Sequence, residues 1–236
     1  RLTLLKQKKY NRPVYTIKQE ELSEKAYKAI KDLILQGELT SGEKLNQEGL
    51  AKRLGISRTP LLSAFAKLEK EMLVELIPRR GARVKKLSRK EYIDLYDLRL
   101  RLEPLGAFEA TQRKTKEGLK EIEKYLSLFE AVILGRSKER FLEVDYKFHM
   151  AVMKMSQNEM LYRMISAFNI VLISNFNGLL KEPDESLKEH KALAEAIKSG
   201  DAPLAEKIMY EHISGARANL LRSEEHTSEL QSRQVI

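Results

Sequence analysis

The 236-residue chain is 42% hydrophobic and 33% charged, a balance that excludes an intrinsically disordered polypeptide and suits one large domain or two modest ones. It contains no cysteine, which excludes disulfides and thiolate metal sites and leaves His and carboxylates as the only strong metal ligands. The best candidate for a membrane span, residues 164–176, is too short and carries Asn169 and Asn175. The first residues lack the apolar core of a signal peptide, so a cytoplasmic protein with no membrane partner is expected.

The net charge of +9 is unevenly placed. Residues 1–87 hold 20 Lys+Arg against 10 Asp+Glu, whereas the remainder holds 23 against 24. A basic module joined to a neutral one points to a polyanion partner for the first alone, although a merely solvated basic surface has the same composition.

Residues 1–16 are basic and lack a helical period, which predicts a flexible arm; the chain opens on Arg1 rather than Met, so its natural start is expected upstream. The apolar stripe Ala26, Tyr27, Ile30, Leu33, Ile34 predicts a helix over 24–35 with Ser23 as its cap, and Gly37 and Gly42 break it. Asn46 caps a second helix over 47–54 that Gly55 ends, and Ser57 caps a third over 58–72 with Pro60 in its first turn. Two short β-type runs, 73–77 and 82–86, are joined by Pro78-Arg79-Arg80-Gly81 and read as a hairpin. Ser88 then opens a helix to residue 111 that is expected to bend at Pro104. Further helices are predicted over 115–134, 138–155, 159–180, 184–198 and 203–221, with no strand pattern and no internal repeat. The run 222–233, RSEEHTSELQSR, resembles the conceptual translation of a sequencing-library adapter, so residues 222–236 are expected to be foreign to the fold.

The expected fold class is therefore mainly α, with a winged helix-turn-helix over 17–87 and an all-helical bundle over 88–221. In a winged helix the helix after the sharp turn enters the major groove, and its first residues reach base edges. Here those are Ser57, Arg58 and Thr59: Arg offers paired donors to guanine, and Ser and Thr can meet phosphate or base. Arg79, Arg80 and Gly81 form the wing tip, suited to phosphates or a narrow minor groove. The same order of elements also serves protein-binding winged domains.

The run 47–84, with Leu50-Ala51, Leu54-Gly55-Ile56-Ser57-Arg58-Thr59-Pro60, Leu68-Glu69 and Gly81, closely resembles the winged-helix domain of the GntR family of bacterial transcription regulators. The resemblance implies that Arg58 and Thr59 contact DNA and that Gly81 lets the wing approach the minor groove. The chain departs from the family at Leu62-Ser63, where Arg-Glu is usual and that Arg commonly touches DNA. It departs again at Met72, where a glycine is usual.

In the second half Asp145 and His149 stand four residues apart and share a helix face, while His190 and His212 lie on two other predicted helices. If those helices share a core, one carboxylate and three imidazoles converge on a divalent cation such as zinc, nickel, cobalt, iron or manganese. An isolated His on an amphipathic helix is more often a plain core or surface residue. Residues 94–110, 145–161 and 189–213 resemble the FCD sensor domain of the FadR subfamily, and six helices rather than seven bring it nearer the VanR-like branch. That resemblance implies metal ligation by Asp145, His149, His190 and His212, a small carboxylate effector beside the metal, and a homodimer reading a palindromic operator as a repressor. Arg99 matches a family arginine that reaches the ligand carboxylate; a salt bridge to Glu103 is the alternative. Other readings are a sensor whose signal is the cation itself, a metal-dependent hydrolase, and a non-specific architectural DNA binder. The hydrolase lacks a well-placed general base and leaves the DNA-binding head unexplained.

Overall fold

The first helix, α1 (Thr16–Leu35), starts earlier than the 24–35 segment read from periodicity, and Ser23 lies inside it rather than capping it. The preceding Gln, Glu and Leu residues are good helix formers, and the exposed Glu21–Lys25 pair, 2.5 Å apart, spans Ser23 at the i,i+4 spacing. The computed structural model describes residues 16–174 and 180–233, with the backbone alone for 16–20 and 223–233. Apart from Thr16, the basic arm expected over 1–16 lies outside the described residues, as do the last three residues of the 222–236 tail.

A two-residue strand, β1 (Lys44–Leu45), precedes α2 (Gln47–Leu54). Asn46 caps α2 by accepting the Gly49 N–H, and Gly55 closes it in the left-handed region, both as the sequence indicates. The third helix, α3 (Arg58–Lys70), presents Leu61, Phe65 and Leu68 at helical spacing, all fully buried. Burial of each contributes about 1.5–3 kcal/mol of transfer free energy. Strands β2 (Val74–Ile77) and β3 (Gly81–Val84) form the predicted hairpin, with Val74 opposite Val84 and Ile77 opposite Gly81. β3 also pairs with β1, Lys44 opposite Arg83, so the wing is a three-stranded antiparallel sheet of order β1-β3-β2. A two-residue strand is too short to leave an alternating pattern, which is why the sequence reading lacks it.

The end of α3 differs from expectation by two residues, and the reason is local. Met72 takes φ +62°, its N–H bonds the Glu69 carbonyl, and the Leu73 N–H reaches back to the Leu68 carbonyl. This is a Schellman closure, in which the residue after the cap is left-handed and glycine is favoured. Methionine here carries the strain that a glycine would avoid.

Helix α4 (Arg89–Gln112) opens with a full capping box between Ser88 and Glu91 and continues through Pro104. Helices α5 (Lys116–Leu134) and α6 (Lys138–Met155) follow as expected. The single helix predicted over 159–180 is instead interrupted: α7 (Glu159–Ala167) and α8 (Ile170–Ser174) are separated at Phe168–Asn169, where Asn169 takes φ +48°. Asparagine is one of the few non-glycine residues that enters this region readily. Helices α9 (Pro183–Ser199) and α10 (Ala202–Arg233) complete the bundle, and α10 continues past residue 221. Among the described residues this half therefore holds seven helical segments, not six, and the helix count no longer favours the VanR-like branch. α4 packs against α6, α9 and α10, so its inner face lines the centre of the bundle. Among the described residues no helix is long and apolar enough to cross a membrane.

Replacing Met72 by Gly should raise unfolding stability by about 1 kcal/mol, because the left-handed cost of a non-glycine residue disappears. A shift of the denaturant midpoint upward at constant slope is the expected readout. A lower midpoint would mean that the Met72 side chain's packing outweighs the backbone strain.

Candidate metal centre and nucleic-acid interface

The two sets of residues singled out in the basic half sit on its surface. Ser57, Arg58 and Thr59 are exposed at the N-terminus of α3, and the Ser57 side chain makes no capping bond. Arg79 and Arg80 are exposed at the turn between β2 and β3, with Arg79 at φ +62° and Gly81 at φ +95°. A side chain at Gly81 would be strained by that backbone and would press on Gln47. Leu62, one turn beyond Arg58 and on the same face of α3, is 39% exposed, and Ser63 is exposed beside it.

In the other half the fold brings together all four residues picked out by spacing. Asp145 and His149 project from α6, His190 from α9 and His212 from α10; all four are buried, and one ligand atom from each lies within 4.8 Å of the others. His149 Nε2 and His190 Nε2 stand 3.8 Å and 3.7 Å from Asp145 Oδ1. These separations are too long for hydrogen bonds. They are close to the roughly 3.4 Å between ligands bound at about 2.1 Å to one tetrahedral ion. Among the described residues, His149 Nε2 and both ring nitrogens of His190 are buried without a hydrogen-bond partner. Three orphaned nitrogens in one core are costly unless something is held there.

A second layer sets the orientation of the rings, and sequence reasoning missed it. His149 Nδ1 donates to Glu103 Oε2 at 2.5 Å, and His212 Nδ1 donates to Glu189 Oε2 at 2.7 Å. With the Nδ1 protons committed to carboxylates, the Nε2 lone pairs of His149 and His212 are left to face the centre. Glu103 is visible in sequence only as the i+4 neighbour of Arg99, and nothing in the sequence aims Glu189 at His212.

The electrostatics favour neutral imidazoles at His190 and His212. Burial pushes His190 well below the usual histidine range, and the neighbouring His212 and His149 add to it. Burial also lowers His212, partly offset by its bond to Glu189. Burial alone would raise the Glu103 carboxyl, but the Arg99 guanidinium and His149 outweigh it and hold its pKa at about 2. Of the two partners weighed for Arg99, the structure forms the pair with Glu103: Arg99 Nε to Oε1 at 2.5 Å and Nη2 to Oε2 at 3.3 Å, with Nη1 donating to Ser174 Oγ at 2.7 Å. A cavity of about 40 Å3 beside the cluster is bordered by Tyr96, Arg99, Asp145, Lys181 and His212. Lys181 is itself buried and paired with Glu189.

Comparison with known proteins follows the same two-part division. The family model of the bacterial regulatory proteins of the gntR family matches residues 22–84, and that of the FCD domain matches residues 94–215. An uncharacterised HTH-type transcriptional regulator of Bacillus subtilis, YdhC, is 28% identical over 193 residues, covering 80% of this chain and 86% of its own. The galactonate operon transcriptional repressor of Escherichia coli K12 is 28% identical over 211 residues, covering 79% of this chain and 91% of its own. Among solved structures, E. coli McbR/YncC superposes with a TM-score of 0.75 at 20% identity, covering 86% of this chain and 98% of that one, a likeness of fold.

Substituting Glu103 by Gln leaves the Arg99 guanidinium without its counter-charge inside the bundle. Breaking a buried pair in this way costs about 3–5 kcal/mol, so the variant should unfold at a markedly lower denaturant concentration. A midpoint within error of the parent would show that water reaches Arg99 and screens it.

Proposed function

Since the chain belongs to the gntR family of bacterial regulators and carries an FCD domain, we propose that it is a repressor that binds operator DNA as a homodimer in the cytoplasm and is released by a small organic acid held at a divalent cation. It is a DNA-binding transcription regulator, like the relatives it matches, and not an enzyme. The hydrolase reading is therefore set aside.

The observation that carries the sensor reading is the buried set Asp145, His149, His190 and His212, with three ring nitrogens that have no hydrogen-bond partner among the described residues. The donor set fits a cation such as zinc or nickel: one carboxylate and three imidazoles, two of them oriented by Glu103 and Glu189. When bound, the ion supplies positive charge and open coordination positions that a carboxylate can take up from water. Arg99 and Lys181, paired with Glu103 and Glu189, border the adjoining cavity and are the cations a carboxylate would meet there. The galactonate operon repressor bears the name of a sugar-acid operon, which is in keeping with a carboxylate effector. A second reading, in which the cation itself is the signal, draws on the size of that cavity: about 40 Å3 holds a water or two. Chelation at fixed operator concentration separates the two, since only the second reading has metal removal alone switch binding.

For the DNA, Ser57, Arg58 and Thr59 at the start of α3 are assigned to base edges and phosphates, and Arg79, Arg80 and Gly81 to the wing's contact with the backbone or minor groove. For the homodimer, exposed Leu98 and Leu105 of α4 and Met160 and Met164 of α7, with Phe168 just beyond, offer the apolar face that a second copy would cover.

Purified protein should carry about one divalent ion per chain, measured by mass spectrometry, and the His149→Ala/His212→Ala variant should carry none. A metal-free parent protein that cannot be reloaded overturns the metal reading. Arg58→Ala should weaken binding to operator duplexes, selected from a random pool, by about 1–3 kcal/mol with metal content unchanged. Unaltered affinity would show that α3 is not the reading helix.

A further inference from the structure

The two halves are tied together at one buried side chain. Asn169 sits at the break between α7 and α8, is buried, and holds φ +48°. Its Nδ2 donates both to the backbone carbonyl of Glu71 and to the Glu71 carboxylate, each at 3.1 Å. Both partners are acceptors, so the orientation of the amide is fixed by chemistry. Glu71 is the C-cap of α3, the residue just before the left-handed Met72. The last carbonyl of the helix assigned to DNA reading is thus satisfied by a residue of the sensor. The same carboxylate oxygen, Glu71 Oε2, also accepts from Tyr27 Oη at 2.8 Å and from Lys31 Nζ at 3.2 Å, both on α1.

Asn169 is a poor choice for stability alone. Glycine would take the left-handed conformation at no cost, and the Asn169 Oδ1 is buried without a hydrogen-bond partner among the described residues. What it gains is a short, buried connection to the candidate metal centre. The Asn169 carbonyl accepts the Ile173 N–H and so starts α8, all five of whose residues are buried. At the far end of α8, Ser174 Oγ accepts from Arg99 Nη1, Arg99 is held by Glu103, and Glu103 holds the Nδ1 proton of His149.

We propose that Asn169 is the coupling residue of this regulator: the chain His149–Glu103–Arg99–Ser174, the strut α8 and the Asn169–Glu71 bonds carry the state of the sensor core to the C-terminal cap of α3. The proposal rests on the metal reading for the nature of the signal, and on the hydrogen bonds described above for the path. A change in where His149 is held moves Glu103 and Arg99, shifts the Ser174 end of α8, and tightens or loosens the cap through Asn169. The affected backbone is the Schellman turn, where the amides of Glu71, Met72 and Leu73 bond back into α3.

Hydrogen exchange of the full chain, read on peptides covering residues 69–73, tests this with zinc alone as the probe. Bound zinc should slow exchange there relative to chelator-treated protein. The Asn169→Gly variant keeps the backbone conformation without strain, so it should exchange faster, and equally fast with and without zinc, while its zinc content stays that of the parent. Retention of the zinc-dependent difference in Asn169→Gly overturns the proposal. So does a parent that binds zinc yet shows no difference at 69–73. If the parent binds no zinc, the metal reading fails, and Ser174→Ala decides the path by itself. Faster exchange at 69–73 in that variant, far from the turn, supports the coupling; unchanged exchange overturns it.

Discussion

The sensor half hangs on one buried ion pair. Arg99 and Glu103 stand a single turn apart on α4 and are both out of water. Either charge alone would cost several kcal/mol to bury, and the pair is tolerated because each neutralises the other in good geometry. Glu103 still has hydrogen-bonding capacity to spare, and it takes the Nδ1 proton of His149. The ring is thereby turned so that its lone pair faces Asp145 and His190. One carboxylate sets the charge balance of the core, the tautomer of a candidate ligand and, through Arg99, the position of Ser174. Glu189 repeats the arrangement at His212, with Lys181 as its cationic partner.

Much of this was legible in the sequence, for reasons that can be named. Asp145 and His149 announce a shared face by spacing, and Asn46, Gly55 and Ser88 mark helix ends through chemistry that acts within a few residues. The hairpin 74–84 follows from two β-type runs around a turn. What stayed hidden depends on distant partners. The interruption of 159–180 occurs at Asn169, whose conformation is held by Glu71, far away in sequence. An apolar stretch that holds Asn169, Asn175 and Asn177 carries no sign of which of them breaks the helix. β1 exists only because β3 offers it an edge, and Glu189 matters only because α9 and α10 bring it to His212.

Two of the left-handed non-glycine residues, Met72 and Asn169, flank the same junction between the halves. Each would be easier to build with glycine, yet each has a side chain that glycine lacks. Met72 closes α3 and borders an apolar hollow shared with Leu87, Leu98 and Phe168. Asn169 supplies the amide that caps Glu71. Strain kept at a junction in this way fixes its geometry, because the chain can relax only by giving up those contacts. A loosely joined pair of domains would not need it.

The surface of α3 carries its own consequence. From Ser57 to Ala66 its only cationic side chain is Arg58, because Leu62 occupies the next turn on the same face. A duplex docked on this face meets one guanidinium fork and a branched apolar side chain that can pack on a thymine methyl but cannot donate to guanine or phosphate. On the DNA reading proposed for α3, charge neutralisation would fall to residues away from its N-terminal face, with Arg79 and Arg80 at the wing the clearest candidates. Phosphate contacts of that kind are sequence-independent and strongly salt-dependent. Discrimination would rest on the few groups at the N-terminus of α3, so the position of that helix, and hence the cap that holds its far end, matters more than it would for a helix with a longer row of contacts.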